Sequence, residues 1–100
     1  MQITISGRHM DVNAGLRAYA SEKAEKLSKY YDRLMSVDVV FDVEAGKPNV
    51  EIIARADHHT SFVAKHQDSD PYATLDHVVK ELESQLRKHK EKFRNRKHPG

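Results

Sequence analysis

The chain lacks cysteine and tryptophan altogether, and its 100 residues include only four glycines, three prolines and seven aromatics. Without cysteine there is no disulfide and no thiolate, as nucleophile or as metal ligand, which suits a reducing compartment. Apolar runs stay at a few residues, and the start, Met1-Gln2-Ile3-Thr4-Ile5, alternates as a strand does instead of building a secretory apolar segment. The expectation is a cytoplasmic protein. Sparse glycine and proline beside 38% hydrophobic residues exclude a low-complexity tail and describe an ordered globular chain. One hundred residues hold one domain with one modest core.

Catalytic patterns are missing as well. There is no glycine-rich phosphate loop, no nucleophile elbow and no carboxylate pair at catalytic spacing. His9 and Asp11 follow the first strand near Ser6, but nothing orients them as a triad. Seven histidines invite a metal reading. No pair has helical i,i+4 spacing with a supporting acid, and adjacent His58-His59 would point to opposite sides of an extended chain. The expectation is no enzyme, no metal and no cofactor.

What is present is a pattern of six elements. Residues 2–6 alternate with Ile3 and Ile5 on one face, and Gly7 is expected to end that strand. Asn13 is a plausible N-cap for a helix to about Tyr31, with Leu16, Ala20, Leu27 and Tyr31 as its apolar stripe. Residues 35–44 alternate cleanly. Met35, Val37, Val39, Phe41 and Val43 point inward; Ser36, Asp38, Asp42 and Glu44 point to a wet face. Glu44-Ala45-Gly46-Lys47-Pro48-Asn49 holds the breakers of a hairpin loop, followed by an inward row of Val50, Ile52, Ala54 and Ala56. A tight turn at His58-His59 leads to a fourth strand over residues 60–67. Asp68-Ser69-Asp70-Pro71 then opens a long helix, with Asp70 at the cap, Pro71 in the first helical position, and Leu75, Val78, Val79, Leu82, Leu86 and Phe93 buried.

The order β-α-β-β-β-α implies an α+β domain. A right-handed parallel crossover joins the first two strands, hairpins add the others antiparallel, and both helices pack on one face of a four-stranded mixed sheet. Residues 1–93 form this single domain; residues 94–100 are expected to be a short, disordered basic tail.

Charge is the most informative feature. Residues 86–100 carry seven Lys or Arg against one Glu, so a strongly cationic end sits behind a net acidic body, and the formal total is only +2. Clustering of this kind is the electrostatic footprint of a protein that docks on phosphates. Lys26, Lys29 and Arg33 share one flank of the first helix, roughly 60–120° from its stripe. Lys80, Arg87 and Arg94 recur every seventh residue on one flank of the second, with Lys88 and Lys92 elsewhere on its exposed arc. Side-by-side helices would carry a basic groove between them, interrupted by Asp76, Glu83 and Glu91. Ordinary i,i+4 pairs, Glu22–Lys26 and Glu25–Lys29, account for the first helix without any ligand, but not for the end of the second. Tyr30, Tyr31, Tyr72 and Phe93 read as core or core-edge residues, and a wet sheet face bearing Asp38, Asp42 and Glu51 would repel phosphate, unlike the aromatic sheet of an RNA-recognition motif.

Three runs resemble a known family: Gln2-Ile3-Thr4-Ile5-Ser6-Gly7-Arg8-His9-Met10-Asp11-Val12, Asp70-Pro71-Tyr72-Ala73-Thr74-Leu75-Asp76, and Lys80-Glu81-Leu82-Glu83-Ser84-Gln85-Leu86-Arg87-Lys88-His89-Lys90. Together they resemble the ribosome hibernation promoting factor / ribosome-associated inhibitor family, in register over essentially the whole chain. The resemblance implies a fold similar to double-stranded-RNA-binding domains (dsRBD-like) that lodges in the decoding channel of the small ribosomal subunit, on 16S rRNA. There it blocks tRNA and mRNA at the A and P sites and silences translation in stationary phase or stress. It also implies rRNA contacts at Lys26, Lys29, Arg33, Lys80, Arg87, Lys88, Lys90, Lys92 and Arg94, with Arg8 a weaker member. An end at Gly100 resembles the short type, which would be a monomer off the ribosome and act with a separate ribosome modulation factor.

Two other readings stand beside it. A general double-stranded-RNA-binding domain would grip phosphate with a basic start to its last helix, whereas Asp68, Asp70 and Asp76 make this start acidic. An oligomerising module would use an exposed strand, with Val40 and Ile53 on the polar sheet face.

Overall fold

The computed structural model describes residues 1–57 and 59–96, with side chains through Lys92. Strand β1 (Gln2–Arg8), helix α1 (Ala14–Tyr30), strands β2 (Ser36–Glu44), β3 (Lys47–Arg55) and β4 (Ser61–Gln67), and helix α2 (Pro71–Arg96) follow in the expected order. They form a four-stranded sheet, β1-β2-β3-β4, in which β1 and β2 are parallel and the remaining pairs antiparallel. Helix α1 lies over β1 and β2, α2 lies over β3 and β4, and the two helices touch along the same face.

The core is the inward row of each strand closed by one stripe of each helix. Val37, Val39 and Phe41 meet Val50, Ile52 and Ala54 across the strands, beneath Leu27 of α1 and Leu75, Val78, Leu82 and Leu86 of α2. At about 25 cal/mol per Å² of apolar area, this shared seam supplies the main drive for folding. Each helix starts as its sequence dictates. The Asn13 side chain accepts the Leu16 N–H at 2.8 Å, and the Asp70 carboxylate accepts the Tyr72 N–H at 3.1 Å ahead of Pro71.

Several boundaries differ from the sequence reading. Strand β1 runs through Gly7 to Arg8, because a bare Cα there lets the Met10 carbonyl fold back against the strand where any Cβ would collide. Strand β2 starts at Ser36, leaving Met35 exposed. The expected six-residue hairpin loop shrinks to Ala45-Gly46, with φ of 51° and 76°. Two left-handed residues match the twist of the flanking strands, so Lys47, Pro48 and Asn49 pair instead of looping. Pro48 is tolerated in an interior strand because its missing N–H faces past the end of β4, where its carbonyl accepts the Asp68 N–H at 3.2 Å.

His58 lies outside the described residues. Around it Asp57 accepts the N–H groups of His59 and Thr60, both at 2.7 Å, and Ala56 donates to the Thr60 carbonyl. Helix α2 continues to Arg96, so the first residues of the expected tail are helical; residues 97–100 and the Phe93 side chain lie outside the description. Both sheet edges are blunted by helix side chains: Arg17 donates to the Ile5 carbonyl and Gln85 to the Val63 carbonyl.

Candidate nucleic-acid interface

Where the helices meet, α1 presents Tyr19, Lys23, Lys26 and Tyr30, a stripe at steps of four, three and four residues. Helix α2 answers with Tyr72, Asp76, Lys80, Glu83, Arg87 and Lys90. At one end the Tyr19 and Tyr72 rings meet edge to face at 5.3 Å, the Tyr19 hydroxyl donates to Asp76 at 2.6 Å, and Lys23 Nζ reaches Asp76 at 3.9 Å. At the other end the Arg87 guanidinium lies 5.9 Å from the centre of the Tyr30 ring.

The acidic interruption expected at Asp76 is thereby quenched. Its hydrogen bond and charge, with partial burial, push the Tyr19 hydroxyl up to about 12, so this phenol stays a donor throughout the physiological range. Beyond Asp76 the groove turns cationic with Lys26, Lys80, Arg87 and Lys90. Glu83 remains, half-buried. Lys26 pairs with Glu22 at 3.8 Å, as expected, whereas Glu25 and Lys29 form no ion pair.

The remaining candidate cations divide. Lys29 projects from the outer side of α1, and Arg33 follows that helix. Lys88 and Lys92 lie on the flank of α2 nearer β4, the side from which Gln85 reaches Val63. Leu86 is the last buried residue of α2 as far as Lys92, so the cationic segment leaves the core and offers charge around most of its circumference. A helix of 26 residues is about 39 Å long, most of the 52 Å long axis of the molecule. The Arg94 side chain lies outside the described residues. Arg8 is not part of this surface: it ends β1 on the opposite sheet face, beside Asp42.

Sequence reasoning missed Lys23 and the two tyrosines beneath the cations. The signal was available as the Tyr19-Lys23-Lys26-Tyr30 stripe, but its meaning depends on where α2 lands.

The bare face of the sheet behaves differently. Arg55 binds Asp38 at 2.6 Å, Lys65 binds Glu44 at 3.6 Å, and His9 Nδ1 sits 3.0 Å from Asp42 Oδ1. Asp42, expected to be wet, is only 6% exposed. His9, in a left-handed conformation, folds its ring over the carboxylate, and the Val43 N–H donates to it; both hold Asp42 below the usual carboxylate range. The Lys65–Glu44 pair crosses β3 above Asn49, which is 3% exposed with its amide nitrogen unpartnered. Val40, Ile53 and Val63 lie between these pairs. Among the described residues the outward rows carry no aromatic side chain, so this is not a base-stacking sheet.

The histidines serve elsewhere. His66 stacks on His77 with ring centres 3.7 Å apart, and His89 packs against Tyr31 and Phe62. No group of three or more His, Asp or Glu among the described residues is arranged to hold a metal ion. No described helix is long and apolar enough to cross a membrane.

Comparison with known proteins agrees with this architecture. A family model described as sigma 54 modulation protein / S30EA ribosomal protein matches residues 3–94. A ribosome hibernation promoting factor of Azotobacter vinelandii is 41% identical over 95 residues, covering 92% of this chain and 85% of the relative. The protein of the same name from Escherichia coli K12 is 33% identical over 97 residues, 94% of this chain and 98% of the relative. Among solved structures, the N-terminal domain of Thermus thermophilus Protein Y matches with a TM-score of 0.77 at 26% identity, covering 89% of this chain and 99% of that one. A ribosomal subunit interface protein from Coxiella burnetii shares the fold with a TM-score of 0.83 at 24% identity, over 91% of this chain and 99% of that one.

Proposed function

Because this chain belongs to the sigma 54 modulation protein / S30EA ribosomal protein family, we propose that it is a ribosome hibernation factor acting by occupancy instead of by a reaction. Its cations hold the domain on 16S rRNA phosphates in the decoding channel of the small subunit. Its body then excludes tRNA and mRNA from the A and P sites and silences translation in stationary phase or stress. Such work is done in the bacterial cytoplasm. Off the ribosome the protein is a monomer, and a separate modulation factor supplies any ribosome pairing.

The observation that carries this reading is the cationic surface formed by the interhelical groove and the emerging end of α2. Lys26, Lys80, Arg87, Lys88, Lys90 and Lys92 supply it; Lys29 on the outer side of α1, Arg33 just past that helix, and Arg94 are further proposed rRNA contacts. Among the described residues Lys29, Lys80, Lys88, Lys90 and Lys92 have no acidic partner. Phosphate contacts of this kind give affinity and register with little base information, which suits a plug for one rRNA cavity. Arg8, beside Asp42, is left out of the contact set.

A general duplex-RNA binder fits less well, since Asp70 caps α2 and Asp68 and Asp76 flank its first turns, placing negative charge where that module meets phosphate. The test is gradient co-sedimentation with separated small and large subunits at two salt concentrations. The wild type should travel with the small subunit. Reversing charge at Arg87, Lys88 and Lys90 should release it and flatten its salt dependence while leaving the melting transition intact. Unchanged co-sedimentation of the variant rejects the reading, and duplex RNA competing as well as subunits favours the general binder.

A further inference from the structure

Arg87 has a carboxylate four residues away on either side, Glu83 and Glu91, the spacing at which helical ion pairs form. It pairs with neither. Instead its guanidinium crosses the groove and lies over the Tyr30 ring of the facing helix, 5.9 Å from the ring centre. At the other end of the groove Lys23 Nζ also lies over a ring, 5.3 Å from the centre of Tyr19 on its own helix, but there the cation is held by Asp76 as well. Tyr19 and Tyr30 are eleven residues apart, close to three full turns, so they line one side of α1 as the aromatic floor of the groove.

From this geometry we infer that Tyr30 is a positioning residue that keeps Arg87 out of its own helix's carboxylates and poised for phosphate. The inference rests on the proposed reading of the groove as an rRNA-facing surface. A guanidinium held beside a ring by cation–ring attraction spends no hydrogen bond there, and among the described residues Arg87 makes none, so its N–H fork is free to bind a phosphate bidentately. An exposed arginine otherwise carries considerable rotamer freedom, lost when it docks. The ring removes part of that freedom beforehand. An arginine captured by Glu83 or Glu91 would present no net charge to the RNA.

A double-mutant cycle on small-subunit binding tests this, with thermal unfolding measured for each variant. Tyr30→Leu should weaken affinity about two- to fivefold, the range expected for an exposed cation–ring contact, while Tyr30→Phe, which keeps the ring, binds like the wild type. In an Arg87→Gln background, Tyr30→Leu should cost nothing further. Arg87→Lys, on an exposed site that does not threaten the core, should lose affinity although it preserves the charge. An undiminished Tyr30→Leu loss in the Arg87→Gln background, equal losses for Leu and Phe at position 30, or wild-type binding by Arg87→Lys would each overturn the inference. If Arg87→Gln itself binds like the wild type, the groove is not the contact surface and the functional reading falls with it.

Discussion

The two faces of this one sheet handle charge in opposite ways. On the bare face, acids and cations are matched: Arg55 with Asp38 on the next strand, Lys65 with Glu44 across β3, and His9, just past β1, with Asp42. On the helical face, Lys80, Arg87, Lys88, Lys90 and Lys92 gather without acidic partners among the described residues, and of the two acids in the groove Asp76 is engaged by Tyr19 and Lys23 while Glu83 remains. Ion pairing lowers a surface's field, whereas unpaired like charge raises it and costs some self-repulsion. Under the proposed function, rRNA phosphate neutralises that charge. The bare face, by contrast, carries matched charges and so a weaker field.

Breaking both faces at once should have the largest effect. Leu82, fully buried beneath α2, belongs to the seam they share, and Leu82→Ala should cost about 2–5 kcal/mol in denaturant unfolding. Subunit binding should then fall in proportion to the unfolded fraction.

A matched pair of triple variants sharpens the comparison. Neutralising Arg87, Lys88 and Lys90 to Gln should lower small-subunit affinity by about 10- to 100-fold and flatten the slope against log salt by about two to three. The same net change on the bare face, with Lys47, Arg55 and Lys65 to Gln, should alter affinity by less than about twofold. Equal losses would mean that net charge, not its placement, governs binding.

At the neutralised end of the groove, Asp76→Asn should bring the Tyr19 hydroxyl from about 12 back toward its ordinary 10, read by phenolate absorbance. A raised pKa contributes stability that is complete below about pH 10 and lost as pH climbs through the folded value. The variant should therefore be less stable than the wild type below about pH 10, with a flatter alkaline limb that converges on the wild type as pH climbs toward 12.

The smallest effect should be on the acid limb of the stability curve. Asp42 and Asp57 are both held below the usual carboxylate range, Asp42 chiefly by the His9 hydrogen bond and Asp57 chiefly by the His59 N–H. Depressed carboxylates stabilise the fold above about pH 4 and lose that contribution as pH falls through their folded values. Asp42→Asn with Asp57→Asn should flatten the acid limb, measured as melting temperature against pH, and leave subunit binding at neutral pH unchanged.

Local rules settled much of the architecture in advance. Asn13, Asp70 and Pro71 fix helix starts by side-chain chemistry within a few residues, and the alternation of Val37, Val39 and Phe41 fixes an inward face by the period of a strand. Errors arose where a distant group intervened. Lys47-Pro48-Asn49 looked like loop residues until the strict geometry of the Ala45-Gly46 turn and the nearby end of β4 made a strand of them. Asp42 looked solvated until His9, thirty-three residues earlier, folded across it.

The candidate interface divides along the same line. That the end of α2 is cationic, and which residues share a flank, follow from composition and the helical period alone. Which cations meet across the groove, that Asp76 is quenched, that Tyr30 underlies Arg87 and that Arg8 stands apart were decided only by the packing of two helices on one sheet. Pattern is set by the repeat of the chain within an element, but charges on different elements acquire neighbours only when burial of the shared seam brings those elements together.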